Sequence, residues 1–164
     1  MPGFANLPKP LLRLMRLPPR LAYALGLGPV LGRLILLLTT TGRKTGLPRV
    51  TPLQYEQVGE VYYVGSARGQ AADWFRNIQA HPRVQVRVKS HSFTCLAQAV
   101  TDPSRIADFL ELRLRRHPRM VGRILKASGL PENPSRASLE AYAAQIAMVI
   151  LDPKARHVEH GFRS

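Results

Sequence analysis

Acid is scarce in this chain of 164 residues: 10 Asp and Glu stand against 24 Lys and Arg, for a formal net charge of +14. None of those acids falls in the first 55 residues, where Lys9, Arg13, Arg16, Arg20, Arg33, Arg43, Lys44 and Arg49 are unopposed until Glu56. So cationic a chain attracts polyanions, whether nucleic acid, anionic lipid or a phosphorylated cofactor. Cysteine is nearly missing. Cys95 alone excludes an internal disulfide and a cysteine-based metal cluster, and it suits a reducing cytoplasm. Long apolar runs are missing as well: the uncharged stretch Leu21 to Gly32 is too short to span a bilayer and contains Gly26, Gly28 and Pro29. The leucine-rich opening is broken by Pro10, Arg13, Arg16, Pro18, Pro19 and Arg20 and lacks a signal-peptide cleavage site. His81, His91, His117, His157 and His160 show no paired-ligand spacing on one helix, so no metal site is expected.

What remains is the composition of an ordinary globular protein, with 45% hydrophobic and 21% charged residues and room for one core. Residues 9–17 pattern as a short helix with Leu11, Leu12, Leu14 and Met15 on one side and Lys9, Arg13 and Arg16 on the other, stopped by Pro18 and Pro19. Such an arm suits either a bed on the domain or a dimer contact, or an anionic membrane surface, where its leucines enter the headgroup boundary. From Leu34 onward, short runs rich in β-branched and aromatic residues predict six strands at 34–41, 49–56, 60–66, 84–89, 92–100 and 146–152. Val84, Val86 and Val88 alternate with Arg83, Gln85, Arg87 and Lys89, the pattern of an antiparallel sheet or barrel wet on one face. Helices are predicted over 73–80, over 103–116 with a continuation past Pro118, and over 138–144. The organisation is a basic amphipathic arm (1–33), a strand-rich domain (34–152) and a basic tail (153–164).

Two segments carry chemistry. In Gly42-Arg43-Lys44-Thr45-Gly46, between two strands, glycines let N–H groups converge, Arg43 and Lys44 bring charge, and Thr45 brings a hydroxyl. Arg49 beyond it can grip phosphate or carboxylate. A solvated hairpin tip is the plainer alternative. The loop is no Walker site, because Pro48 and a strand follow where a helix is needed. The second segment runs from Val64-Gly65-Ser66 at a strand end, through Ala67 and Arg68, to Asp73-Trp74-Phe75-Arg76-Asn77 at a helix start. Ser66 offers a hydroxyl, Trp74 and Phe75 flat apolar area, and Asn77 a hydrogen-bonding amide; equally, Trp74 and Phe75 could only anchor the helix to the core.

Taken together, Leu-Thr-Thr-Thr-Gly-Arg-Lys-Thr-Gly-x-Pro-Arg-Val-x-Pro over 38–52 and Trp-Phe-Arg-Asn-Ile-x-Ala-His-Pro-x-Val-x-Val over 74–86 resemble the deazaflavin (coenzyme F420)-dependent nitroreductase and quinone reductase family, across about residues 30–152. The resemblance implies an α+β, mainly β fold, a split β-barrel of about six antiparallel strands with flanking helices. It implies binding of reduced 8-hydroxy-5-deazaflavin, with phosphate and glutamates on the basic loop, and hydride transfer to a quinone, nitro or other electron-poor acceptor. Carried over by position, the cofactor contacts fall on Arg43, Lys44, Thr45, Arg49, Val50, Thr51, Val64, Gly65, Ser66, Ala67, Asp73, Trp74, Phe75, Arg76 and Asn77, with Ser66 also a candidate substrate contact. Two departures matter: a Lys often follows the family's serine, where this chain has Ala67 and then Arg68, and substrate-pocket tyrosines align near His117, Met120 and Arg123. A deazaflavin carries the hydride itself, so no triad or metal is required. A split barrel using FMN, and a non-catalytic cationic protein for nucleic acid or anionic membrane, are the alternatives. Nucleic acid is disfavoured by the lack of paired strand aromatics and of a helix-turn-helix.

Cys95 reads as a core or groove residue. The cluster Arg113, Arg115, Arg116, Arg119, Arg123 and Lys126 reads as a solvated helix face, with cofactor tail, lipid headgroups or nucleic acid as its alternatives. A homodimer is left open. The expected location is the cytoplasm, with peripheral contact on the inner face of the membrane.

Overall fold

A computed structural model describes residues 35–156 apart from Ala67; the arm at 1–33 and residues 157–164 of the tail lie outside the described residues. Chain order is β1 (Ile35–Thr41), β2 (Pro48–Val58), β3 (Val61–Ser66), a 3-10 turn (Gly69–Ala71), α1 (Asp73–Ala80), β4 (Arg83–Val88), β5 (His91–Val100), α2 (Pro103–Arg116), α3 (Pro118–Ala127), α4 (Arg136–Ala143) and β6 (Ala147–Leu151). The strands close into an antiparallel barrel in the order β1-β2-β3-β6-β5-β4. All six predicted strands are present, as are the helices predicted over 73–80, 103–116 with its continuation, and 138–144; the helix predicted over 9–17 lies outside the described residues. Boundaries shift by two residues or fewer, save that Glu56 lies inside β2 rather than ending it, and His117 divides the long helical stretch into α2 and α3.

Two long strands make closure work, each changing partner along its length. β2 pairs with β1 from Pro48 to Gln54 and then with β3 from Tyr55 to Val58. β5 pairs with β4 from His91 to Leu96 and then with β6 from Ala97 to Val100. Pro48 and Pro52 fall in the half of β2 that has one strand neighbour, where a missing N–H is accommodated.

Period-two alternation sends one set of side chains into the barrel and the other outward. Inside lie Leu36, Leu38, Tyr55, Tyr62, Val64, Val84, Val86, Val88, Phe93, Cys95, Val149 and Leu151, closed by Phe75 and Ile78 from α1. Cys95 takes its expected core place, and burial pushes its thiol up to about 12. Outside, Val100 and Met148 are covered by Ile106, Phe109, Leu110, Val121, Leu125 and Leu139 of α2, α3 and α4. α2 starts where Asp102 accepts from the Ser104 and Arg105 amides at 2.8 and 3.3 Å, with Pro103 as its first residue. It stops at His117 because Pro118 cannot donate to Leu114; Pro118 then opens α3. Arg136 ties α4 to α2 through Asp108 at 2.6 Å and Glu111 at 3.2 Å.

The helical layer is also clamped electrostatically, by two members of a basic cluster that is otherwise solvated as expected. Arg113, largely covered, and Arg116, still exposed, reach back to Glu56 at 3.7 and 2.9 Å, and Arg116 also donates to the Gln57 carbonyl at 2.7 Å. His117 Nε2 lies 3.3 Å from the same carboxylate, an ion pair when the imidazole is protonated. Glu56 is 4% exposed on the outer face of β2, where these partners take the place of water around its carboxyl group. Removing one side of a buried ion pair costs about 3 kcal/mol or more, because the other charge is left in the interior. Glu56→Ala is therefore expected to lower unfolding stability by about 3 kcal/mol in urea titrations followed by circular dichroism. Lys154→Ala, which removes the exposed 2.6 Å pair with Glu60, leaves the midpoint essentially in place.

Candidate functional site

One end of the barrel gathers both segments that the sequence singles out. The β1–β2 loop is tight: the Gly46 amide donates to the Gly42 carbonyl at 2.7 Å and the Gly42 amide to the Leu47 carbonyl at 2.8 Å. Gly46 adopts φ +68, the left-handed region that favours glycine. A Cβ on Gly42 would lie 3.1 Å from the Leu47 carbonyl, closer than the turn tolerates. The Thr45 hydroxyl accepts from the Leu47 amide at 3.3 Å, so it is spent on the loop itself.

Arg43 latches this loop to α1. Its side chain donates to Asp73 Oδ1 at 3.0 Å and to Asn77 Oδ1 at 3.1 Å, while its backbone amide donates to the same Asn77 oxygen at 3.2 Å. Asn77 is buried and donates onward to the Thr40 hydroxyl of β1 at 3.2 Å. The hydrogen bond and charge of Arg43 hold the Asp73 carboxyl below its usual range. Lys44 and Arg49 remain exposed, without an ion-pair partner among the described residues. Arg49 shares the face of β2 that carries Thr51 and Leu53.

Beside the latch is a cleft of about 290 Å³ lined by Thr51, Leu53, Gly65, Ser66, Arg68, Ala72, Asp73 and Trp74. It opens where the β2–β3 ladder ends: pairing starts at Tyr55 with Val64, so Thr51 and Leu53 on one strand and Gly65 and Ser66 on the other face a gap. Trp74 supplies a flat wall, held edge-on against Phe75 with ring centroids 6.1 Å apart. Ser66 is buried, and its hydroxyl donates to the Gly69 carbonyl at 2.9 Å, locking the turn into α1. Arg76 Nε supports that turn through the Gln70 carbonyl at 3.2 Å.

Of the residues singled out from the sequence, Thr51, Gly65, Ser66, Asp73 and Trp74 line the cleft, and Arg43, Lys44, Thr45 and Arg49 form the adjoining loop and strand. Val50 is half-buried on β2, and Ala67 lies outside the described residues. The side chains of Val64 and Phe75 are fully buried in the barrel, and Asn77 serves as the bracket described above. Leu53, Arg68 and Ala72 were not singled out as contacts. Leu53 follows from Thr51 by the strand period, and the sequence marks Arg68 only as the cation one place beyond the position of the family's lysine. Near the aligned positions of the family's tyrosines, His117 is engaged by Glu56, Met120 Sδ accepts from Gln54 Nε2 at 3.6 Å, and Arg123 is exposed. No group of three His, Cys, Asp or Glu side chains among the described residues could hold a metal.

A closed six-stranded antiparallel barrel with flanking helices and a basic hairpin at its mouth defines a split-barrel protein. The solved structure of the conserved hypothetical protein Rv2991 of Mycobacterium tuberculosis shares this architecture, at 13% identity and TM-score 0.50 over 83% of this chain and 79% of that one; an F420 reductase aligns at 24% identity and TM-score 0.45 over 77% and 91%. Residues 25–122, well over half the chain, match the profile of the F420H(2)-dependent quinone reductases, and the chain belongs to that family. The F420H(2)-dependent quinone reductase Rv1261c of Mycobacterium tuberculosis and the corresponding Mb1292c of Mycobacterium bovis are each 37% identical to it over 68 residues, 40% of this chain. That match spans 46% of their length, about half of each curated relative.

Two glycines of the site have opposite expected sensitivities. At Gly65 a Cβ would meet nothing within 4 Å, so Gly65→Val should fold normally while its side chain fills the cleft. At Gly69 (φ +58) a Cβ would sit 2.6 Å from the Gln145 carbonyl, so Gly69→Ala should lower the melting temperature by several degrees. Thermal melts of both variants beside the parent check this pair of outcomes.

Proposed function

We propose that this chain is an F420-dependent oxidoreductase that passes a hydride from the reduced deazaflavin to a quinone, with nitro or other electron-poor compounds as further acceptors. The observation that carries the reading is the arrangement at the barrel mouth of a chain of this family: an apolar wall of Leu53 and Trp74 beside the exposed cations Lys44, Arg49 and Arg68. That donor set suits a molecule with a planar ring at one end and several negative charges at the other. Lys44, Arg49 and Arg68 would grip the phosphate and glutamates, and Arg68 stands in for the lysine that follows the serine in relatives. Leu53, Gly65 and Trp74 would hold the ring, while Arg43, Asp73 and Asn77 keep loop and helix in register.

When bound, the reduced deazaflavin would supply a hydride, that is two electrons and one proton; a quinone acceptor takes a second proton from solvent to become the quinol. The chain's own work is binding, orientation and shaping the approach of the acceptor. FMN offers the basic rim a single phosphate, and the three free cations favour the more anionic coenzyme. Fluorescence titration of the deazaflavin decides the assignment: saturable binding is expected, weakened roughly tenfold in Lys44→Ala and in Arg68→Ala by loss of a charge-assisted contact. Absence of saturable binding at micromolar protein, or tighter binding of FMN, would falsify it.

We also place the protein in the cytoplasm, peripheral to the inner face of the membrane through the arm at 1–33. The arm's alternation of leucines and cations supports this reading, and a quinone dissolved in lipid gives it a purpose. No helix among the described residues is long and apolar enough to cross a membrane. Sedimentation with anionic vesicles should carry down the full chain and much less of one beginning near Gly32; equal sedimentation of the two removes the arm's role.

A further inference from the structure

Once the Glu56 clamp is formed, cations remain at the α2–α3 elbow with no ion-pair partner among the described residues. The chain has no carboxylate from Leu112 to Pro131. Arg113 and Arg116 are occupied by Glu56, and the nearby acids Asp108, Glu111 and Glu140 are occupied by Arg136. Arg115, Arg119, Arg123 and Lys126 are exposed and have no ion pair among the described residues.

Helix geometry concentrates this charge. At about 100° per residue, Arg119, Arg123 and Lys126 fall within an arc of about 60° on α3, on the side away from the buried Val121 and Leu125. Met120 and Ile124, both half-buried, lie together on one side of the arc, and Gly122 lies on the other. The exposed residues of α3 are Pro118, Arg119, Arg123, Lys126 and Ala127, with no aromatic to stack a base and no amide to read one. A cationic stripe with half-buried aliphatic side chains along one edge and no carboxylate suits a helix that lies on an anionic lipid surface. Its position matters too. Met120 rests on Gln54 of β2, on the face of that strand opposite to Thr51 and Leu53 of the cleft, so a surface meeting α3 leaves the cleft uncovered.

We propose that the Arg119, Arg123 and Lys126 face of α3, extended by Arg115, is a docking surface for an anionic lipid bilayer. It is a second contact, separate from the N-terminal arm, and it needs neither the coenzyme nor the acceptor to operate. Any chain with this net charge adheres somewhat to anionic vesicles, so the test compares two full-length variants that lose the same charge in different places. One carries Arg119→Gln, Arg123→Gln and Lys126→Gln on α3. The other carries Arg83→Gln and Arg87→Gln on the exposed face of β4 and Lys89→Gln in the exposed turn that follows it.

Partition onto phosphatidylglycerol–phosphatidylcholine vesicles is measured by sedimentation at low and physiological salt, with melting curves as the check on folding. Each basic residue at an anionic surface strengthens binding roughly fivefold, less after screening, so the α3 variant should bind roughly tenfold or more weakly than the parent. The β4 variant should stay within about threefold of it. Should the triple α3 variant unfold, the single charge reversal Arg123→Glu is measured the same way, with a loss of roughly tenfold expected. Equal losses from α3 and β4 would mean that only overall charge matters, and the docking surface does not exist. Unchanged lipid binding with lost affinity for a DNA duplex in the α3 variant would overturn the proposal in favour of nucleic acid.

Discussion

The rest of the structure depends on β2 changing its partner between Gln54 and Tyr55. Before that point the strand belongs with β1 and its other edge is open; after it, the strand belongs with β3 and the barrel is closed. The cleft is the space left by the open half, so its location follows from register alone. Because side chains alternate along a strand, the same residues also decide what happens on the outer surface. Thr51 and Leu53 turn toward the cleft and Tyr55 into the core, while Gln54 and Glu56 turn outward under α2 and α3. A one-residue slip in β2 would put Glu56 in the barrel interior and Tyr55 beneath the helices. The cleft and the helical elbow are thus fixed to opposite faces of one strand.

Charge is divided between holding the fold and facing solvent, and geometry makes the division. Arg43 has the shape to bind a phosphate, yet its guanidinium is committed to Asp73 and Asn77, where its planar fork satisfies two acceptors while its backbone amide satisfies a third contact. Arg113 and Arg116 are likewise committed to a carboxylate that needs them. Burial lowers the pKa of Arg113, and Glu56 opposes that shift. With those cations withdrawn, the free positive charge sorts into separate regions. Lys44, Arg49 and Arg68 belong to the mouth of the barrel, Arg119, Arg123 and Lys126 to α3, and Arg83, Arg87 and Lys89 to the outer face of β4 and the turn that follows it. A high net charge on its own says nothing of this sorting.

The strands were readable from the sequence because alternation is a local property: Val84, Val86 and Val88 show their buried face without knowledge of any partner. The helix bounds were readable for the same reason, since Asp102-Pro103 starts α2 and Pro118 interrupts it within a few residues of the signal. The tight basic loop, with its glycines and its two cations, was also visible in five consecutive residues. Sequence alone therefore determined which described segments form strands and helices, the family resemblance, and the presence of a tight basic loop. Which cations are free was decided only by tertiary structure. Glu56 looks like an unremarkable strand residue, and Arg113 and Arg116 look like part of a solvated stripe, until the fold brings residues 57 and 60 positions apart to 3.7 and 2.9 Å. The same holds for Arg68, whose place on the cleft depends on where β3 parts from β2. An ion pair or a cleft is a relation between distant segments, and the energy of a charge is set by what lies within a few ångströms of it in space.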